Sequence, residues 1–526
     1  MLVAALCLLP FLGKAFTIDD PYFLVEAQQA LKTPRTPANV PLCWDNIGFA
    51  RPLRDVGSVS VVMGYVLIPV ILLPAKEYVG HLLDLFFLCV AVVATVALAF
   101  RCGAGKIEAM FAGVFLASFP VVLMMAGTIM PDILAMTLGV IGIERLLAWK
   151  TQGGLWRAWA AGIALGLAPV ARSHTLFLLP IGFLILTFDT WPASFRECLR
   201  ALRSTPRIRW LPLLIAVVCF FAVTGITFDT SGGFTIFPGG PNAEQVASYF
   251  IRPNLLQFGL NWMVVTPFVI AWLLLEGAAG FVLLGLAAMG GALLKYAIPS
   301  SPALLDVLGL AGLMAIGSAV GWAWRTRRVP VAGLGLCLLL TMAIIPYVHF
   351  PSKYLTASAP AASILLALRI FQGTRAPKAW SAAIVCAGAV LGIMLLNADA
   401  AFAGLARRTV AQGVAPQIQS GYRVWYAGQW ALTFYAEQAG ATCLSIYPPF
   451  PQAGDLIVAG DMEGGAELVS RLDLNLHLLQ TFQSTDPGMR IMNHAAHAGF
   501  YNNYFGYLPW AWSGEPVNTY YLWSVE

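Results

Sequence analysis

The stretch FTIDDPYFLVEAQQAL, Phe16 to Leu31, places two adjacent carboxylates, Asp19 and Asp20, directly after an apolar run. An acid at or near a bilayer is costly unless it faces a polar cavity, so paired acids at this point are candidates for function. A local account competes. Asp favours helix caps, Pro favours the first helical turn and acids suit the positive helix end, so a helix from Pro21 explains one Asp of the two.

The run before the pair belongs to a chain of 526 residues that is 59% hydrophobic and only 11% charged, with a mean hydropathy of +0.75. Soluble domains are far less apolar. The sequence therefore reads as an α-helical polytopic membrane protein. The net charge of +5 says little by itself, because in such proteins the position of Lys and Arg relative to the spans carries the information. Nucleic acid is not implied.

Against the roughly 20 apolar residues that a crossing needs, about thirteen candidate transmembrane helices are present: 1–16, 82–100, 107–126, 132–149, 157–171, 175–189, 210–227, 256–275, 278–297, 303–324, 329–347, 355–371 and 379–397. The first has no Lys or Arg before its apolar run and no small-residue cleavage site, and reads as an uncleaved helix. The run VSVVMGYVLIPVILLP, Val59 to Pro74, carries two prolines and reads as a re-entrant or interfacial helix. With these spans, Arg101 and Lys106, Lys150 and Arg157, the dense run from Arg196 to Arg209, RTRR at Arg325 to Arg328, and Arg369, Arg375 and Lys378 all fall on one side. That side is cytoplasmic by the positive-inside rule.

The opposite, external side then receives Asp19 and Asp20, the loop 17–79, the turn TIMPD ending at Asp132, the loop from Asp229 to Pro253, the turn HFPSKY and everything after Ala398. Two domains follow: a transmembrane unit, 1–398, and a small external α/β domain, 399–526. In the latter, YRVWYAG and GDLIVAG read as strands, WALTFYAEQAG as a helix closed by Gly440, and GFYNNYFGYLPWAWSG as an aromatic, loop-rich segment.

Asp132 repeats the Pro-Asp pattern at a second external helix start; it either complements the helix dipole or aims a second acid at the same face. His349 and Lys353 stand between two spans, where Lys353 either snorkels to headgroups or binds a lipid-linked phosphate as a point charge. Arg172, His174 and Arg252 read first as structural or headgroup-facing. His81 and Asp84, three apart on one helix face, read as an interfacial pair rather than a proton relay. HAAH, His494 to His497, lacks the third ligand of a zinc site. Of the nine Cys, only Cys43 and Cys443 fall outside; two unpaired thiols are expected, with a bridge as the alternative.

The combination of Asp19-Asp20-Pro21-Tyr22 after the first span, MPDILAMTL around Asp132, GIALGLAPVARSH around Arg172 and KYLTASAPAASILLA from Lys353 resembles the GT-C superfamily of membrane glycosyltransferases, notably the aminoarabinose transferases and protein mannosyltransferases. Asp20 stands where that family carries Glu. The resemblance implies inverting transfer of a sugar from a polyprenyl-phosphate donor to an acceptor hydroxyl of a glycolipid, protein or polymer, on the external face of a bacterial inner membrane. It makes Asp19, Asp20 and Asp132 catalytic candidates, with Asp19 as general base. Lys353, His349, Arg252 and Tyr354 become the donor-phosphate group. The expected partners are the lipid-linked sugar, its acceptor and membrane lipids. No metal ligands are identified, and no cofactor is assigned beyond the option of a divalent cation. A proton-coupled transporter or lipid flippase is the alternative function, though transporters carry internal repeats and midplane charges that are not apparent here.

Overall fold

The computed structural model describes residues 1–43, 50–55, 60–192, 194–226, 243–298, 301–347 and 349–526. Each of the thirteen apolar runs coincides with helix, but length and composition alone support fewer crossings. Among the described residues six helices qualify: Lys76–Arg101, Arg207–Gly225, Ala278–Ala297, Ala303–Arg325, Ser352–Gly373 and Pro377–Gln419. The number rises to eight when two bent pairs each count as one span. Leu2–Phe11, Leu155–Ala171, Ser173–Thr187 and Val329–Ile344 are apolar but shorter, and Asp132–Gln152 carries Glu144, Arg145 and Lys150. A buried helix inside a bundle is apolar all round, so its sequence looks like a span whatever its length.

The bent pairs break at proline, which cannot donate a backbone hydrogen bond and clashes with the preceding turn. Lys106–Ser118 turns by 59° into Pro120–Ala126, and Ile251–Val264 by 79° into Phe268–Leu275. The two breaks meet, because Val121 N donates to Val265 O at 3.1 Å, and within the second break Thr266 Oγ1 donates to Trp262 O at 2.6 Å. Backbone groups freed within a bilayer thus regain partners inside the protein. Beside this junction the helices Ala243–Val264 and Ala303–Arg325 touch backbone to backbone: a Cβ on Gly259 would lie 2.0 Å from Gly309 O. Only glycine allows that approach.

The expected boundary at 398/399 falls inside a helix. Pro377–Thr409 runs on through a π turn, Val410–Val414, and the short helix Ala415–Gln419 before the first strand at Val424. The α/β domain that follows is built on a five-stranded sheet in the order Thr442–Cys443, Val424–Ala427, Leu456–Gly460, Thr519–Val525, Leu476–Gln483. Its first three members pair in parallel and the rest antiparallel. The helix Trp430–Ala439 crosses between parallel neighbours and closes on Gly440 at φ 96°, as its sequence predicts.

This domain is fastened to the helical unit on the Asp19 side. Trp430 N donates to Tyr22 Oη and Phe16 N to Tyr435 Oη, each at 3.0 Å, and Tyr435 Oη reaches Glu77 Oε1 at 3.1 Å. Cys43 and Cys443 form a disulfide across 400 residues, which corrects the expectation of two unpaired thiols. A buried ion pair joins Lys14 to Asp399, with Thr17 Oγ1 donating to the second carboxylate oxygen at 3.1 Å. The run 59–74 forms two short helices, Val61–Val66 and Ile68–Leu72, packed on the helix Asp20–Lys32. The expected loop 229–253 lies partly outside the described residues, since 227–242 are not among them, and its end is helical from Ala243 onward.

Candidate active site

The helix Asp20–Lys32 begins where the sequence predicts, but neither acid plays the expected capping part. Asp19 occupies the position before the first turn with no side-chain bond to the helix backbone. Its Oδ2 accepts instead from Lys353 Nζ at 3.1 Å, with the two side chains 13% and 7% exposed.

Asp20 is fully buried and receives two backbone donors, Thr17 N at 2.9 Å on one oxygen and Ile129 N at 3.0 Å on the other. It therefore braces the TIMPD turn against the first loop, with each oxygen engaged by a backbone N–H. Burial pushes its carboxyl up to about 7 against the opposing pull of Lys14 and those N–H donors.

The braced turn leads into Asp132, whose Oδ2 accepts from Arg172 Nη2 at 2.5 Å; the pair is 2% and 16% exposed. Arg172, read from sequence as structural, thus joins the site, and its Nε is buried without a hydrogen-bond partner among the described residues. Tyr354 lies within electrostatic reach of Asp19, Asp132 and Arg172. The two ion pairs are neighbours around that phenol, a balanced set of two acids and two bases.

His349 stacks on Tyr354 with ring centroids 6.5 Å apart and packs against Tyr347 at 4.7 Å and Tyr504 at 5.6 Å. Burial, and then Lys353, lower its pKa to about 3, so the expected cationic role gives way to that of a neutral imidazole. Its Nδ1 is buried without a partner among the described residues. Arg252 sits within a helix that contains Pro253, not at the end of a loop, and its Nη1 is likewise without a partner. No bond brings it to Lys353.

The loop that carries His349 and Lys353 is held from two sides. From the helix Ala243–Val264, Asn254 Nδ2 donates to Ile345 O at 2.9 Å and Tyr347 O at 2.6 Å, while Asn261 donates to Phe350 O at 3.2 Å and accepts from Ser352 Oγ at 3.1 Å. From the aromatic segment of the C-terminal domain, Phe350 N reaches Asn503 Oδ1 and Ser352 N reaches Phe500 O, both at 3.1 Å. Asn254, Asn261, Tyr347 and Tyr504 carry no sequence pattern that separates them from ordinary helix and loop residues.

His81 and Asp84 do not pair. His81 Nδ1 bonds to Leu12 O at 2.9 Å, and both Asp84 oxygens are buried without partners among the described residues. His494 packs on Phe505 with centroids 4.3 Å apart. Among the described residues no three His, Cys, Asp or Glu side chains are grouped as a metal site would require. Asp19 and Asp132 hold Lys353 and Arg172 instead.

No family model and no curated protein matches the chain. Among solved structures it is similar to ArnT from Cupriavidus metallidurans bound to undecaprenyl phosphate, at 12% identity and a TM-score of 0.42 over 91% of this chain and 95% of that one. It is also similar to the Archaeoglobus fulgidus oligosaccharyltransferase in complex with Zn and sulfate, at 12% identity and a TM-score of 0.43 over 86% of this chain and 65% of that one. A third likeness is to the mycobacterial arabinofuranosyltransferase AftD, at 14% identity and a TM-score of 0.41 over 99% of this chain and 41% of that one. All three are GT-C glycosyltransferases.

Proposed function

We propose that the chain is an inverting glycosyltransferase that moves a sugar from a polyprenyl-phosphate donor to an acceptor hydroxyl on the external face of the membrane. The observation that carries this reading is the enclosed pair Asp19–Lys353, a carboxylate and an ammonium 3.1 Å apart beside a second pair, Asp132–Arg172.

An arriving phosphodiester competes with Asp19 for Lys353, and each contact it gains loosens the carboxylate. Asp19 then takes the proton of the acceptor hydroxyl while that oxygen bonds to the anomeric carbon. The bond from the anomeric carbon to the phosphate oxygen breaks on the opposite face, which inverts the centre. The lipid phosphate leaves as an anion and needs no proton. Lys353 stabilises that charge, and the open Nε of Arg172 adds a donor. Asp132 fixes the guanidinium plane, and neutral His349 offers a hydrogen bond among the aromatic walls.

Full-length protein in nanodiscs, given a mixed set of polyprenyl-phosphate sugars with glycolipid and protein acceptors, is expected to release polyprenyl phosphate in step with sugar transfer. Absence of release from every donor would contradict the reading. One observation favours the transporter alternative, Asp84 within the helix Lys76–Arg101, buried without a partner among the described residues. Asp84→Asn abolishes proton-coupled transport on that account, and leaves sugar transfer within several-fold of wild type on ours.

A further inference from the structure

The face opposite Asp19 carries a feature that glycosyl transfer does not use. Ser194 Oγ accepts from Glu197 N at 3.3 Å and starts the helix Phe195–Ser204, FRECLRALRS, none of whose residues is buried. It connects Ser173–Thr187 to Arg207–Gly225. Cys198 and Ala201 rest on the protein core, and Thr205 Oγ1 ties its end to Thr187 O at 3.3 Å. Outward, Arg196, Arg200 and Arg203 follow one another along one stripe and, with Leu199 and Ser204, form an open face of this helix.

Three properties define what fits there. Neighbouring cations on this face share carboxylates: Lys150 lies 2.9 Å and Arg209 3.6 Å from Asp189, and Arg101 is 2.5 Å from Glu144, which also holds Arg145, so each cluster keeps a net positive charge that adds to the face. Arg196, Arg200 and Arg203 make no ion pair among the described residues. Second, the same helix and the turn after it expose Phe195 at 75% and Ile208 at 59%, apolar surface that water does not favour. Third, aromatic side chains mark the membrane boundary at this level: Trp191 stacks on Trp324 at 5.5 Å, Phe183 packs on Trp210 at 4.5 Å, and Trp149 Nε1 donates to Arg209 O at 3.2 Å. Basic residues beside exposed Phe and Ile at headgroup depth are the chemistry of a helix lying in the interface plane.

We infer that the Arg196–Arg200–Arg203 face is a binding site for the phosphate headgroup of an anionic phospholipid in the leaflet opposite Asp19, with Phe195 and Ile208 seated at the top of the acyl layer. The site also anchors one end of the segment Ser173–Thr187, whose other end follows Arg172, so a lipid bound here steadies the depth of that arginine.

The test is competitive lipid retention by the full-length protein, read by native mass spectrometry in mixed phosphatidylglycerol and phosphatidylcholine. Wild type is expected to prefer phosphatidylglycerol on the order of 100-fold, from three arginines near the surface, and to lose that preference in 1 M salt. Arg196→Gln/Arg200→Gln/Arg203→Gln removes the preference with Tm in phosphatidylcholine unchanged, whereas the triple Lys variant keeps it. If the glutamine variant does not fold, Arg200→Gln alone is expected to lower the preference several-fold. Equal retention of the two lipids by wild type, or a preference that survives the glutamine substitutions, would overturn the proposal. Tighter binding of a soluble polyglutamate than of phosphatidylglycerol vesicles would also overturn it and assign the face to an acidic protein.

Discussion

Lys353 Nζ reaches Asp19 Oδ2 at 3.1 Å across 334 residues of chain. Few alternatives are open to either group, since both are largely shielded from water. On the proposed function, a donor phosphate that binds Lys353 displaces Asp19, and that exchange links donor binding to exposure of the base.

Lys353→Gln is expected to lower sugar transfer by about 10²–10³ by removing the charge that meets the departing phosphate. The substitution also leaves Asp19 enclosed without a cation, so Tm is expected to fall, and transfer is compared at a temperature where both proteins are folded. Steady-state transfer with purified variants checks this, and a loss under 10-fold would remove Lys353 from the chemistry.

Arg172→Gln leaves Asp132 buried beside a weaker partner and is expected to destabilise the protein by about 3–5 kcal/mol. Asp132→Asn in the same chain is expected to restore most of that stability while leaving transfer impaired. Thermal unfolding of the two single variants and the double variant measures the coupling.

Glu26 is fully buried; Ser60 N donates to its Oε2 at 3.3 Å and Oε1 has no partner among the described residues. Burial raises its carboxyl from 4.5 to about 8. The folded state therefore prefers the protonated form, and the stability tied to Glu26 is complete below about pH 4.5 and is lost as pH rises towards 8. Glu26→Gln has no such titration. Its Tm advantage over wild type is expected to widen between pH 5 and pH 8, by at most about 1.4 kcal/mol for each unit, and to level off above. A difference that does not change with pH would contradict the assignment.

Replacement of Cys43 and Cys443 by Ala is expected to lower stability by about 2–4 kcal/mol, with the loss concentrated in the C-terminal domain. Limited proteolysis near the Pro41–Cys43 strand is expected to accelerate in the variant and in reduced wild type alike.

What the sequence disclosed follows from locality. An acid pair after an apolar run, a Lys in a short loop and Gly440 at a helix end are patterns within a few residues, and each appears at its expected place. Partnership across the fold is not local. Asp19 finds Lys353, Asp132 finds Arg172, Lys14 finds Asp399 and Cys43 finds Cys443 only after the helices pack. Locality also hides the partners of Asp20, whose oxygens accept from N–H groups of Thr17 and Ile129 that no pattern announces. Length and composition support six to eight spans among the described residues and do not confirm thirteen, because short helices such as Leu155–Ala171 are apolar for reasons of packing as well as of lipid.

The most direct measurement is transfer of radiolabelled sugar from polyprenyl-phosphate donors by full-length wild type and by Asp19→Asn, side by side in nanodiscs. Asparagine keeps the shape and still accepts a hydrogen bond from Lys353, but it cannot take a proton. The account predicts a fall of about 10²–10⁴ in transfer with Tm within a few degrees of wild type. Equal transfer by the two proteins would contradict the role of Asp19 as base and leave it a structural partner of Lys353.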